Sequence, residues 1–396
     1  MNYDFSSFVN RNGTGSRKWE QMYERNPETS EDIVPLSIAD MEFQSAPEIY
    51  EGLIDFLKSK PILGYSKATD EYIDSVVNWQ RRRHHWRIEK EWIVNTPGVI
   101  AAIHTAIRAF SDINDGVIIF NPVYAPFSST IEENNRKVVN VPLIEKERYY
   151  SIDFDAFEKE AKKPKNKLLL FCSPHNPTGR VWTEEELTQL ADIAVKNDLL
   201  IVSDEIWYDV VHPDYKHTVL HKINTQLQKR LITCTSASKT FNLAGVAISN
   251  IIISNKEMRD SFINEAEESH FTSINAFGYE ATKIAYNQGE TWLEELQTIV
   301  FSNQQFVKEY FQENCPKIKA PVSEGTFIQW INFKELDIED SELEKILNEN
   351  YCFSNPGNMY GAEGSGYHRI NVALPKRELK IILDRLLIGL REHHII

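Results

Sequence analysis

Short apolar runs alternate with polar, helix-spaced segments through the middle of the chain. The runs fall at 117–120, 138–141, 168–172, 199–202, 231–235 and 250–254. Each is of strand length, and consecutive apolar positions mean burial on both faces of a sheet. The segment 183–197 shows what lies between them. Thr183 followed by Glu186 fits a capping box, and Leu187, Leu190, Ile193 and Ala194 form one helical stripe. Doubly buried strands alternating with helices predict an α/β architecture with a mostly parallel sheet. No fixed-period repeat or low-complexity tract occurs in the sequence, which excludes solenoids and propellers.

The pattern changes in the last hundred residues. A helix-like stretch near 291–311 leads to 325–331, which alternates like a half-exposed strand, and a glycine-rich loop at 356–366 precedes a short run at 370–374. These features predict a second, smaller α+β unit. The first fifty residues show no regular core of their own and are expected to pack against it. The expected division is therefore 1–48 as an N-terminal segment packing with the small domain, 49–285 as a large domain, and 286–396 as the small one.

Composition narrows the partners. Of 396 residues, 42% are hydrophobic and 26% charged, an ordinary globular mixture. With 43 Lys plus Arg against 58 Asp plus Glu, the net charge is −15, the wrong sign for a protein that neutralises phosphates. Neither nucleic acid nor an anionic membrane is expected as a partner. The basic run Arg81–Arg82–Arg83–His84–His85 then reads as an exposed helix face with Trp86 tucked beneath it. The four cysteines, Cys172, Cys234, Cys315 and Cys352, are scattered without metal-ligand spacing, so neither a metal site nor a disulfide framework is expected. The first 19 residues are polar and the aliphatic runs are too short to span a bilayer, so the expected location is cytoplasmic.

Candidate chemistry lies where the apolar runs end. In an open parallel sheet, ligands bind at the carboxyl ends of the strands. The run at 117–120 leads to Asn121–Pro122–Val123–Tyr124, and 168–172 leads to Ser173–Pro174–His175–Asn176–Pro177–Thr178–Gly179. Ser203–Asp204–Glu205 and Ser236–Ala237–Ser238–Lys239 follow the next two in the same way. A lysine can form a Schiff base with a carbonyl cofactor or substrate. A carboxylate can hold a pyridine nitrogen protonated and make the ring an electron sink, an amide can donate to a phenolic oxygen, and an aromatic residue can stack. The hydroxyls of Ser236 and Ser238, with the helix opened by Thr96–Pro97–Gly98–Val99–Ile100, suit a phosphate. Together these are the parts of a pyridoxal 5'-phosphate site. Each part also has a plainer reading: Asp204 as a helix cap, Asn176–Gly179 as a turn, and His175 as a packing residue.

These segments resemble the fold-type I pyridoxal-phosphate (PLP) enzymes of the class I/II aminotransferase family, in particular the MalY/PatB-like cystathionine β-lyase branch. The resemblance covers nearly the whole chain. It rests on the segments 13–19, 38–43, 96–99, 172–182, 203–206, 238–245 and 368–371. It implies a PLP-dependent transferase fold with a seven-stranded sheet. It also implies that Lys239 forms the Schiff base and later moves the Cα proton, that Asp204 pairs with the pyridine nitrogen, and that Asn176 binds the ring oxygen. Tyr124 would stack on the ring and help to protonate the leaving sulfur. Gly98, Val99 and Ile100, with Ser236 and Ser238, would hold the phosphate. Arg369 would grip the substrate carboxylate, helped by Asn176 and the Ala39 backbone. Tyr65 matches a tyrosine that relatives contribute across a homodimer interface to the cofactor phosphate of the neighbouring subunit, and it is also expected to help bind substrate. Two positions depart from the pattern. Trp207 stands where many relatives have Tyr or His, and Ala247 where many place Arg or Lys beside the phosphate.

The implied reaction is α,β-elimination from L-cystathionine or a cysteine S-conjugate, giving a thiol, pyruvate and ammonia. An aminotransferase uses the same residues up to the Cα carbanion, so residue types alone leave both reactions open. A regulatory, protein-binding role with a residual PLP site is a third reading, since some relatives bind a transcription activator.

Overall fold

Val117 and Ile119 point to one side of their strand and Ile118 to the other, and all three are buried. The same holds along Leu168–Phe171 and Ile201–Val202, so the sheet they form needs cover on both faces. In this computed structural model, which describes residues 2–146 and 149–396, that cover is helical. Met1, the head of the expected N-terminal segment, lies outside the described residues.

The strands in chain order are β1 (Ile93–Thr96), β2 (Gly116–Ile119) and β3 (Lys137–Asn140), then a hairpin of β4 (Ile144–Lys146) and β5 (Tyr149–Ser151). β6 (Asn166–Cys172), β7 (Leu200–Asp204), β8 (Leu231–Thr235) and β9 (Ser249–Ile252) follow. Among the described residues, seven of these form one sheet in the order β1-β9-β8-β7-β6-β2-β3. β3, β2, β6, β7 and β8 run parallel, and β9 is antiparallel to both of its neighbours. On one face, Ala102, Ile103, Ala106 and Ile107 of the helix Val99–Phe110 pack on Val117, Leu168, Leu170 and Val202. On the other, the helices Phe154–Ala161 and Glu184–Lys196 cover Ile118, Leu169 and Ile201. The second of these opens with the capping box read from Thr183 and Glu186, and its stripe of Leu187, Leu190, Ile193 and Ala194 is buried.

A second sheet of β10 (Ile328–Asn332), β11 (Asn355–Pro356) and β12 (Tyr367–Asn371) is antiparallel, with β12 in the middle. It shares a core with the long helices Glu290–Asn314 and Lys376–Glu392. The N-terminal stretch contains a helix, Arg17–Arg25, whose Trp19 and Met22 pack with Ile33 and Phe353, while Leu36, Met41 and Phe43 join the large core.

Four sequence expectations change here. The segment 325–331 is not half-exposed, because every residue in it is buried and the strand begins only at Ile328. Its polar member Gln329 is satisfied internally, donating to the carbonyls of Gln304, Ala320 and Pro321. Of the run expected at 370–374, only 370–371 are strand, closing one that starts at Tyr367, and 372–374 lie beyond it. β1 was not foreseen, since Asn95 interrupts its apolar pattern and satisfies its amide on Tyr72, Ser249 and Asn250. The basic run is exposed only in part: Arg82 and Arg83 pair with Glu290 at 2.7 and 3.3 Å and Trp86 is buried as expected, but the His84 side chain turns inward, pairing with Asp209 at 2.8 Å and stacking on Tyr208. No described helix is long and apolar enough to cross a membrane.

Candidate active site

Strand register decides which loops meet. Cys172, Asp204 and Cys234 lie level across β6, β7 and β8, so the segments that follow them leave the sheet along one edge. At the far side of β9, Thr96 pairs with Ser249 and Thr235 with Asn250, which brings the loop ahead of the helix Val99–Phe110 to the same edge. The structure thus gathers Asn176, Asp204, Ser236 with Lys239, and the turn at Gly98 from four separate stretches of sequence.

Asp204 ends β7 and is buried. Its Oδ1 accepts the amide of Ile206 at 3.1 Å, but loss of solvent outweighs that bond and pushes the carboxyl up to about 7. Lys239, one turn into the short helix Ala237–Thr240, is moved the other way. Burial first and then the Arg369 charge lower its ammonium to about 8. Its Nζ donates to the Ala39 carbonyl at 2.7 Å and lies 5.5 Å from the Trp207 ring. Both groups are braced from behind by fixed neighbours. Thr240 donates to Asp209 at 2.8 Å, and Glu205 accepts from Ser203 at 2.9 Å and pairs with His217 at 2.8 Å.

Arg369 comes from the centre of the second sheet. It is buried and, among the described residues, has no carboxylate partner: one guanidinium nitrogen donates to Asn176 Oδ1 at 3.2 Å and another to Asn355 Oδ1 at 3.1 Å, while Tyr360 lies under it at 5.2 Å. Two neutral amide oxygens leave its charge unbalanced, which suits it to an incoming carboxylate. The Arg369 and Asp204 charges both act on Tyr124, so its phenol belongs to the same cleft, and burial raises it.

An anion cradle closes the other end. Gly98 has φ +106°, and no atom lies within 4 Å of where a Cβ would stand, so the backbone there faces open space at a helix N-terminus. The amides of Val99 and Ile100 are among those a helix leaves unpaired. Ser236 Oγ bonds the Ser238 hydroxyl at 2.8 Å and accepts the Ser238 amide at 3.1 Å, which fixes two hydroxyls together. Trp207 is buried edge-on to Phe327, so its indole offers packing and no ionisable proton. Ala247 is exposed in the left-handed region (φ 47°) and brings no cation. His175 is a packing residue: it bonds Thr178 at 2.9 Å, meets Trp182 edge-on and is held neutral by burial, at about 3.

Two predicted residues are placed differently from the rest. Tyr65 is fully exposed in the single chain. Ala39 gives its carbonyl to Lys239, where a part in holding substrate was expected. Sequence reasoning missed Asn355 and Tyr360, which hold Arg369 from a two-residue strand and an irregular loop where no periodicity marks them.

The chain belongs to the aminotransferase class I and II family, whose profile matches residues 31–386. Among its relatives, cystathionine β-lyase PatB of Bacillus subtilis is 33% identical over 98% of this chain and 99% of its own. Protein MalY of Escherichia coli is 31% identical over 96% of each. The crystal structure of cystalysin from Treponema denticola, which contains a pyridoxal 5'-phosphate cofactor, superposes with a TM-score of 0.98 at 43% identity, covering 99% of this chain and 100% of that one.

Proposed function

We propose that the protein is a PLP-dependent carbon–sulfur β-lyase that releases a thiol, pyruvate and ammonia from L-cystathionine or a cysteine S-conjugate. One observation carries the reading: a lysine lowered to about 8 and a carboxyl raised to about 7 meet at adjacent strand ends, beside an unbalanced arginine. The named activity of PatB supports the choice of reaction.

The residues fit the cofactor. Asp204 is a buried carboxyl short of a donor, which a protonated pyridine nitrogen would supply, and Asn176 would meet the ring oxygen. Gly98, Val99, Ile100, Ser236 and Ser238 would take the phosphate, with Tyr124 against the ring. Bound PLP supplies an electron sink for the pair left when the Cα proton departs. Everything else falls to the chain. Arg369, seconded by Asn176, orients the substrate through its carboxylate. Lys239, largely neutral above about pH 8, takes the Cα proton. The Cβ–S bond then breaks, the sulfur leaves as thiolate, and Lys239 or Tyr124 returns a proton to it. Hydrolysis of the remaining three-carbon unit gives pyruvate and ammonia.

A homodimer accompanies this reading. Tyr65 sits with exposed Ile62 and Leu63, next to Tyr50, Ile54 and Leu57 on the helix Pro47–Ser59, an apolar surface suited to a second copy. Tyr65 would then reach the partner's phosphate site. The large and small domains would divide near residue 285, with the N-terminal segment lying against the small one. The four cysteines are free and buried, which accords with a cytoplasmic enzyme.

The test is pyruvate release from L-cystathionine without any keto acid, alongside borohydride reduction and peptide mapping. Pyruvate, with a pyridoxyl adduct on Lys239, is expected. A strict need for a keto-acid acceptor would make the protein an aminotransferase, and label on another lysine would overturn the site.

A further inference from the structure

The amine of Lys239 is held by a carbonyl in the N-terminal stretch, and the two carbonyls flanking it are held by Asn371, with Lys18 Nζ adding a second bond to that of Asp40 at 3.1 Å. Residues 38–40 form a tight turn in which the Asp40 amide donates to the Ile38 carbonyl at 3.0 Å. The carbonyls on either side of the apex, Ile38 and Asp40, both accept from Asn371 Nδ2, at 3.0 and 2.6 Å. The apex carbonyl, Ala39, is left for Lys239 at 2.7 Å. Asn371 is buried and fully used, because its Oδ1 accepts the Ala373 amide at 2.9 Å. Backbone bonds stitch the same stretch to the end of β12 on both sides, from the Asn371 amide to Leu36 and from the Glu42 amide to Ala373. Beyond the turn, Asn242 braces Met41 reciprocally, accepting its amide at 2.9 Å and donating to its carbonyl at 3.1 Å.

We infer that Asn371 is the positioning residue for the proton-transferring amine of Lys239, acting through the Ala39 carbonyl. Asn371 does not touch the reacting atoms. It fixes the two flanking carbonyls, so the turn cannot rotate and the acceptor stays opposite Lys239. Arg369 stands two residues earlier on β12, and residues i and i+2 of a strand share a face. One strand therefore sets both the grip on the substrate carboxylate and the resting point of the base. Proton transfer is sensitive to such placement, and a shift of about 1 Å can cost a hundredfold in rate.

The inference rests on Lys239 being the base, so its test reads proton removal apart from elimination. Exchange of the Cα hydrogen of L-alanine, which has no leaving group, is followed in D2O by NMR, next to pyruvate release from L-cystathionine. In cofactor-loaded Asn371→Ala, exchange and kcat are expected to fall roughly ten- to a hundredfold. KM should stay within about threefold, because Arg369 keeps its partners. In the cofactor-free protein, the same variant frees the Lys239 amine from its acceptor. Acetylation of Lys239, read by peptide mass against exposed Lys196, is expected to become faster. Wild-type exchange rates and unchanged Lys239 labelling in a folded variant would overturn the inference, as would a loss confined to KM. Should Asn371→Ala fail to fold, Asn242→Gly tests the same turn. Glycine keeps the left-handed backbone at that position (φ 57°) while removing both braces on Met41, and full exchange there would equally overturn it. Wild-type protein that exchanges alanine but yields no pyruvate would sink the lyase reading and leave this comparison standing.

Discussion

Burial drives Asp204 and Lys239 away from their ordinary charge states in opposite directions, and both shifts oppose folding at neutral pH. A carboxyl raised from 3.8 to about 7 stabilises the folded chain fully only below about pH 4, and that contribution drains away as pH climbs to 7. An amine lowered from 10.5 to about 8 contributes fully above its unfolded value and loses that contribution as pH falls toward 8. Between them, near pH 7.5, both costs are present. Asp204→Asn is therefore expected to make the cofactor-free protein more stable at pH 7.5, by roughly 2–4 kcal/mol given 1.36 kcal/mol per pKa unit. The advantage should vanish near pH 4, as urea titrations of the two proteins across pH would register. The same change should slow the loaded enzyme about ten- to a hundredfold, since a hydrogen bond to a charged group is lost. The convergence of Lys239, Asp204 and Asn176 was legible because each follows an apolar run. Asn355 was not, since a residue on a two-residue strand leaves no pattern to read.

At the level of single elements, the helix Val99–Phe110 shows how little separates an ordinary N-terminus from an anion cradle. Gly98 precedes it with φ +106°, a backbone state that costs other residues about 1–3 kcal/mol. An added methyl there would strike nothing within 4 Å, so Gly98→Ala isolates backbone strain from crowding. It is expected to lower stability by about 1–2 kcal/mol and to speed cofactor loss, measured by urea midpoint and by dialysis against buffer. Gly179 differs, because a Cβ there would meet Ser323 at 2.5 Å. Most strands of the large sheet could be read as continuous apolar runs because both of their faces are covered. β10 misled for the opposite reason: the side chains of Gln329 and Asn332 look solvent-bound in sequence, yet tertiary partners take them up. The helix Arg17–Arg25 went unread because its few apolar positions, Trp19 and Met22, find their complement in Phe353, more than three hundred residues away.

The whole molecule leaves one predicted residue without company. Tyr65 is exposed in the single chain, as are its neighbours Ile62 and Leu63, so the role proposed for it depends on a second copy. Tyr65→Phe should preserve the dimer by sedimentation while weakening PLP retention several-fold, because only the hydroxyl is removed. Unchanged retention in an intact dimer would remove Tyr65 from the site. Only the family resemblance pointed to Tyr65; residue pattern alone did not, since an interface is a property of two chains. The stitching of residues 36–42 onto β12 bears on how the enzyme is made. A polypeptide emerging from the ribosome exposes residue 39 early and residue 239 midway, but the strand that joins them is translated much later. Until then, on the role inferred for Asn371, the carbonyl that Lys239 meets lacks the side chain that aims it.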